Sequence, residues 1–150
     1  MADLTTTLSE TLLINNSLRG STLSVTTTGI NDVFERILTI TGSTTTTTVL
    51  ATFAALPSTS PGAIDVDRTK YVRVTNLDPS VTIELAIQTT TSSYTVTLRA
   101  GASHILYQGE AVALGEAGAA SFGTMLNLAS IAARPTTAFV ARVELFVGIE

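Results

Sequence analysis

The chain has 150 residues, a formal net charge of −4, one histidine, no cysteine and no tryptophan. That length suits a single domain able to bury a core without covalent staples, and the lack of cysteine excludes a disulfide framework and any thiolate metal site. Only 13% of the residues are charged, and no run of like charges marks a nucleic-acid footprint.

Threonine is the commonest residue, with 28 copies. Thr, Val and Ile favour extended backbone because their branched side chains fit a pleated surface and lose rotamer freedom in helices. Mean hydropathy is +0.41, high for a soluble monomer, yet no apolar run reaches the roughly 18 residues of a membrane-spanning helix. Met1-Ala2-Asp3-Leu4-Thr5 lacks the basic start and apolar stretch of a signal peptide. Contact between subunits is the simplest destination for the surplus apolar surface.

Residues 1–29 read as an N-terminal arm or pair of edge strands. Leu4, Leu8, Leu12 and Ile14 share the even positions, and Leu23 with Val25 begins a second extended run after Asn15-Asn16. The spacing of Leu4, Leu8 and Leu12 also suits one face of a helix, but the three threonines beside them favour a strand. Such an arm is expected to extend over a neighbouring subunit. Gly29 to Asp32 reads as a turn. Val33 to Thr41 carries apolar residues on both faces, which predicts a central strand or one sandwiched between layers. Gly42-Ser43 and the tract Thr44 to Thr48 predict a hairpin tip or strand shoulder leading into Val49 to Phe53. Leu56 to Pro61 holds two prolines and reads as a loop.

From Lys70 to Gln108, four short alternating runs are separated by Asn76 to Ser80, Thr91 to Ser93 and Ala100 to Ala102. Three short loops rich in turn formers predict an antiparallel meander. Gly109 to Gly123 is dominated by small residues and suggests a crossing between sheets. Met125 to Ala133 fits either a helix or a strand, ended by Arg134-Pro135. The last run, Phe139 to Ile149, alternates in strand phase with apolar residues on its second face too, and predicts a central closing strand. The sum is an all-β fold: an antiparallel two-sheet β-sandwich or jelly roll over residues 30–150, with an extended N-terminal arm.

Chemistry-bearing residues are sparse. His104 is the only imidazole and reads as a polar-face residue of a strand, with no G-x-S-x-G elbow to partner it. Asp65 and Asp67, with Asp32 or Asp78, supply oxygen ligands in principle, but the glycine and distal glutamate of a calcium loop are missing. Gly115-Glu116-Ala117-Gly118 lacks the Lys-Ser/Thr of a phosphate loop. Glu84 and Glu144 fall on outward phases, as do Arg73, Arg99 and Arg142, so cross-strand ion pairs are expected. Arginine's planar fork also suits pinning one subunit to the next. Tyr71, Tyr94 and Tyr107 are expected at the sheet margin. No catalytic residue, metal or cofactor is assigned. The candidate interface set is Leu4, Leu8, Leu12, Ile14, Arg73, Arg99 and Arg142.

Tyr71-Val72-Arg73-Val74-Thr75-Asn76-Leu77-Asp78, an alternating strand, and then Leu98-Arg99-Ala100-Gly101-Ala102-Ser103 resemble small β-sandwich virion proteins of tailed bacteriophages. In those, a V-x-N-L-D strand end precedes a strand pair and an L-x-A-G-x-S turn. Ile30 to Ile37 (INDVFERI) is similar to such proteins from phages of cyanobacteria and other aquatic hosts. The resemblance covers about half of the chain and rests on structural turns. It implies a non-enzymatic capsid decoration or cement subunit located in the virion after assembly in the host cytoplasm. Implied partners are the major capsid protein or another virion protein, and further copies of the chain as a homotrimer, with no nucleic acid and no membrane. A tail, neck, baseplate or fibre adaptor is the alternative. A carbohydrate-binding module or small hydrolase around His104, Asp65 and Asp67 is the reading from another class.

Overall fold

The computed structural model describes residues 1–60, 62–107 and 127–150. Among them every regular element is a strand, as the β-branched composition requires. An N-terminal ribbon is formed by β1 (Ala2–Ser9), β2 (Leu12–Ile14), β3 (Ser17–Arg19) and β4 (Thr22–Ile30). The body contains β5 (Asp32–Ile40), β6 (Thr48–Ala54), the two-residue β7 (Ile64–Asp65), β8 (Thr69–Asn76), β9 (Ile83–Gln88), β10 (Ser93–Leu98), β11 (Ser103–Tyr107), β12 (Ser130–Pro135) and β13 (Ala141–Ile149).

Two sheets make the body. One has the order β5-β13-β8-β11; the other runs β6-β12-β9-β10, with β7 added in parallel beyond β6. Leaving β7 aside and counting the eight body strands along the chain, the orders are first-eighth-third-sixth and second-seventh-fourth-fifth. That is the jelly roll, two interlocked Greek keys. Alternate residues point inward from both sheets. Val143, Leu145 and Val147 of β13 and Val72 and Val74 of β8 meet Ile83, Leu85 and Ile87 of β9 and Ile131 of β12 in one continuous core.

The predicted meander is corrected. Only β9 and β10 form a hairpin; β8 and β11 pair with each other in the opposite sheet, so the loops at 77–82 and 99–102 carry the chain between layers. Asn76, fully buried at the end of β8, holds both crossings. Its Nδ2 donates to the carbonyls of Val81 (2.8 Å), Leu98 (3.2 Å) and Arg99 (3.1 Å), and its Oδ1 accepts the Asp78 N–H. Asp78 in turn accepts the Val81 and Ser80 N–H groups, which hold its carboxyl below the usual carboxylate range.

Three further expectations change. Gly29 to Asp32 is no reversal: Asn31 alone separates β4 from β5, which lie in different sheets. The threonine tract bridges β5 and β6 across the two layers and is not a hairpin tip. Among the described residues only β13 flanks β5, which makes it an edge strand, and its outer-face Val33 and Ile37 stay open. The closing strand β13 is central as expected, between β5 and β8. Within Met125 to Ala133, residues 130–133 belong to a strand, while Met125, Leu126 and the whole of Gly109 to Gly123 lie outside the described residues.

Candidate intersubunit surface

The ribbon is a single long hairpin. Ser9 pairs with Thr22 and Leu12 with Arg19, so one register runs through both ladders to the tip at Asn15-Asn16. Both tip residues have positive φ, 49° and 58°, the backbone of the two-residue turn whose twist matches its strands. Halfway along, Gly20 approaches so closely that a Cβ there would lie 2.0 Å from the Glu10 carbonyl oxygen. At the rise of an extended strand, the thirteen residues from Ala2 to Ile14 reach about 40 Å.

Its two faces differ. Cross-strand partners share a face, so Leu4, Thr6 and Leu8 stand with Thr27, Val25 and Leu23. The opposite face carries Thr5, Thr7 and Ser9 against Thr26, Ser24 and Thr22. The apolar face is covered only at its root. Leu4 lines two shallow depressions on the outer face of the β5-β13-β8-β11 sheet, one with Tyr71, Arg73 and Phe146, the other with Ile30, Val33 and Phe146. Ile30 is buried there against Gly148, where a Cβ would come within 3.2 Å of its Cδ1. Tyr71 stacks edge-on to Phe146 at 6.0 Å, and the Arg73 guanidinium lies over the Phe146 ring while binding Glu144 at 2.5 Å.

Beyond the root the same face runs out uncovered: Leu8 is 58% exposed and Leu23 59%. Leu12, Leu13, Ile14 and Leu18 at the tip are at least half exposed. A two-stranded hairpin alone is marginal in water, and contiguous exposed aliphatic surface on this scale marks a contact site.

The structure brings some of the predicted interface residues together and separates others. Leu4 and Arg73 meet at the arm root, and Leu8 continues the Leu4 face. Leu12 and Ile14 share one face of the tip segment. Arg142 is exposed on the outer face of β13, beside Thr39 of β5. Arg99 is not on a strand; it lies in the β10–β11 crossing, its carbonyl held by Asn76. Neither Arg99 nor Arg142 has an ion pair among the described residues, and Glu84 pairs with Arg134 (2.7 Å), a partner that sequence reading did not assign. That reading also missed Leu13 and Leu18, although the Asn15-Asn16 turn that mirrors them across the tip was visible.

No chemical constellation assembles elsewhere among the described residues. His104 lies on the inward phase of β11, paired with Val74, and not on a polar face. Its Nε2 is 3.3 Å from the Tyr94 hydroxyl of the facing sheet, at the edge where β10 and β11 adjoin. Partial burial lowers the His104 pKa and raises that of Tyr94. Asp65 lies on β7, at the opposite edge of the β10 sheet, so Asp65 and Asp67 do not converge on His104. Asp65 accepts the Asp67 N–H and Asp32 that of Val33, the ordinary work of turn carboxylates. Among the described residues no group of three His, Cys, Asp or Glu side chains is placed to hold a metal. Tyr71 is buried beneath the arm root and not marginal, Tyr94 is marginal, and the Tyr107 side chain and Gly115 to Gly118 lie outside the described residues.

Comparison with known proteins finds no matching family model, no matching curated protein and no matching solved structure.

Proposed function

We propose that this chain is a non-enzymatic structural subunit of a phage particle, of the capsid decoration or cement kind, which stabilises the head through its arm and the outer face of its sandwich. The observation that carries the reading is the arm: an aliphatic face anchored at its root on the chain's own sheet and bare beyond it. A lone protein gains nothing from exposing that face; a subunit gains a neighbour. The major capsid protein or another virion protein, and sister copies arranged as a trimer, are the partners of this reading. It calls for no cofactor.

The test replaces residues 10–21 by Asn-Gly, which reconnects the cross-strand partners Ser9 and Thr22 through a two-residue turn. Particles carrying the shortened arm are expected to lose the subunit or to open at lower temperature, while the isolated subunit keeps its β-type circular dichroism. Retention at full copy number with unchanged particle stability refutes the reading. Copy number in a cryo-EM reconstruction separates the head from a tail, neck, baseplate or fibre position, since head subunits follow the capsid lattice and the others follow the tail axis.

A further inference from the structure

We infer that the bare part of the arm seats on the outer sheet face of a second copy of this chain, covering Val33 and Ile37 of its β5. The inference rests on the structural-subunit reading and names the partner and the receiving surface.

Three observations lead to it. First, the arm's apolar face already has a receptor chemistry in this molecule, because its root residues Leu4 and Ile30 pack on Phe146, Tyr71 and Val33 of the outer face. Leu8, Leu23 and Val25 prolong that same face by register. Secondly, that outer face has its own uncovered apolar remainder in Val33 and Ile37, 46% and 54% exposed. Within one chain the two remainders do not meet, since both stay exposed; between two copies one contact covers both. Pairing of two arms, or docking on a foreign subunit, covers the arm but leaves β5 bare. Thirdly, both patches are flanked by an acid and a base with no ion pair among the described residues: Glu10 and Arg19 on the arm, Glu35 and Arg142 on the sheet. Those sets are complementary in either direction of approach.

Leu13 and Leu18 pair on the opposite face of the arm, so Leu8, Leu12, Ile14, Leu23 and Val25 make the contact. Their exposed surface is roughly 450 Å², about half of the ~800 Å² that each partner contributes to a standard interface, which fits a weak association strengthened by repetition. Arm on sheet is a head-to-tail contact, whose repetition closes into a ring when the rotation allows.

The experiment uses two full-length variants, Leu23→Asp on the arm and Ile37→Asp on the receiving face, followed by native mass spectrometry and sedimentation alone and mixed. Both positions are exposed, so each variant is expected to keep the wild-type melting temperature. The wild type should associate, and each variant alone should dissociate about a hundredfold more readily. The mixture should recover a heterodimer and nothing larger, because one arm and one receiving face survive intact in it. If Ile37→Asp associates as the wild type does while Leu23→Asp does not, the arms pair with each other; the receiving surface is then wrong and the structural-subunit reading stands. A wild type that stays monomeric at about 1 mM, where even a weak specific contact is populated, overturns self-docking. The shortened-arm particle test then decides separately whether the arm serves another subunit.

Discussion

Replacing Asn76 by alanine is expected to cost more than any surface change in this protein. The side chain is fully buried and its Nδ2 serves three carbonyls, those of Val81, Leu98 and Arg99, while Oδ1 accepts from Asp78. Two N–H hydrogens and one acceptor make three effective hydrogen bonds, each worth about 1 kcal/mol net, and the substitution also strands the Val81 and Leu98 carbonyls away from water. The loss is therefore about 3–4 kcal/mol, a large part of the 5–15 kcal/mol that hold a domain together, and lowers the melting temperature by about 10 °C. Urea unfolding followed by circular dichroism measures it as a lower midpoint at unchanged slope. Asn76→Asp sharpens the test. A carboxylate oxygen then faces carbonyl oxygens, so the folded state favours the protonated acid and raises its pKa above the unfolded value of about 3.9. Stability of that variant is retained below about pH 4 and falls as pH rises through the raised folded pKa, a slope absent from Asn76→Ala. A loss under about 1 kcal/mol for Asn76→Ala, or parallel pH profiles for the two variants, refutes the role of Asn76 as the tie between the two crossings.

Four other outcomes are expected. Gly20→Ala drives a Cβ into the Glu10 carbonyl at a backbone φ of 127°, so amide exchange should accelerate across residues 10–21 while the melting temperature of the body stays unchanged. Asp78 is stabilised as the anion by the Val81 and Ser80 N–H groups; its contribution is present above the unfolded pKa and lost as pH falls through the lower folded one, so the melting difference between wild type and Asp78→Ala should be largest near neutrality and shrink as the solution is acidified below the unfolded value of about 3.9. Leu145→Ala empties a fully buried site on the central strand and should cost about 2–5 kcal/mol. In dilute solution, Leu8→Ala on the open arm should cost under about 0.5 kcal/mol by the same urea assay.

Period-two alternation made the strands legible, because a strand buried on one face writes its burial directly into its residues. Connectivity was not legible, and the reason lies in the turns. Thr89 to Ser92 closes a hairpin, with Thr89 N–H bonded to the Ser92 carbonyl, whereas Asn76 to Val81 crosses between sheets, yet both stretches hold ordinary turn formers. The distinguishing mark was Asn76 itself. It continues the inward phase of Val72 and Val74, and a buried amide there can satisfy the loops of both crossings. The same limit explains β5 and β13. Each carries apolar residues on two faces, but Phe146 of β13 lies under the arm root, whereas on β5 Val33 sits at the rim of that root, still 46% exposed, and Ile37 stays open. Sequence records that a second face is greasy, not what covers it. His104 was assigned the wrong phase for a related reason: its partner is Tyr94 from the other layer, a neighbour visible only once β10 and β11 are known to flank the same side. The arm residues Leu4, Leu8, Leu12 and Ile14 were legible as a set because nothing in the body competes for their register.

β5 offers a partner two surfaces, its backbone edge and its outer face, and the side chains discriminate between them. Glu35 and Arg36 sit side by side in mid-strand, with the Arg36 guanidinium lying 5.0 Å over the Phe34 ring. A strand added to this edge would have to pass both charges, the arrangement by which edge strands commonly resist pairing. On the outer face the charges around Ile37 suit a partner instead: its cross-strand neighbour Glu144 is already engaged by Arg73, and Glu35, two residues along on the same face, is open to a basic group of an arriving arm. The arm is built in the complementary way. Its Thr/Ser face and hydrogen-bonded ladder are at ease in water, while the Leu8, Leu23 and Val25 face is not. Both surfaces therefore favour packing of side chains face to face over backbone pairing, which makes recognition depend on the shape of a few aliphatic residues and keeps the open edge of the sandwich from recruiting strands at random.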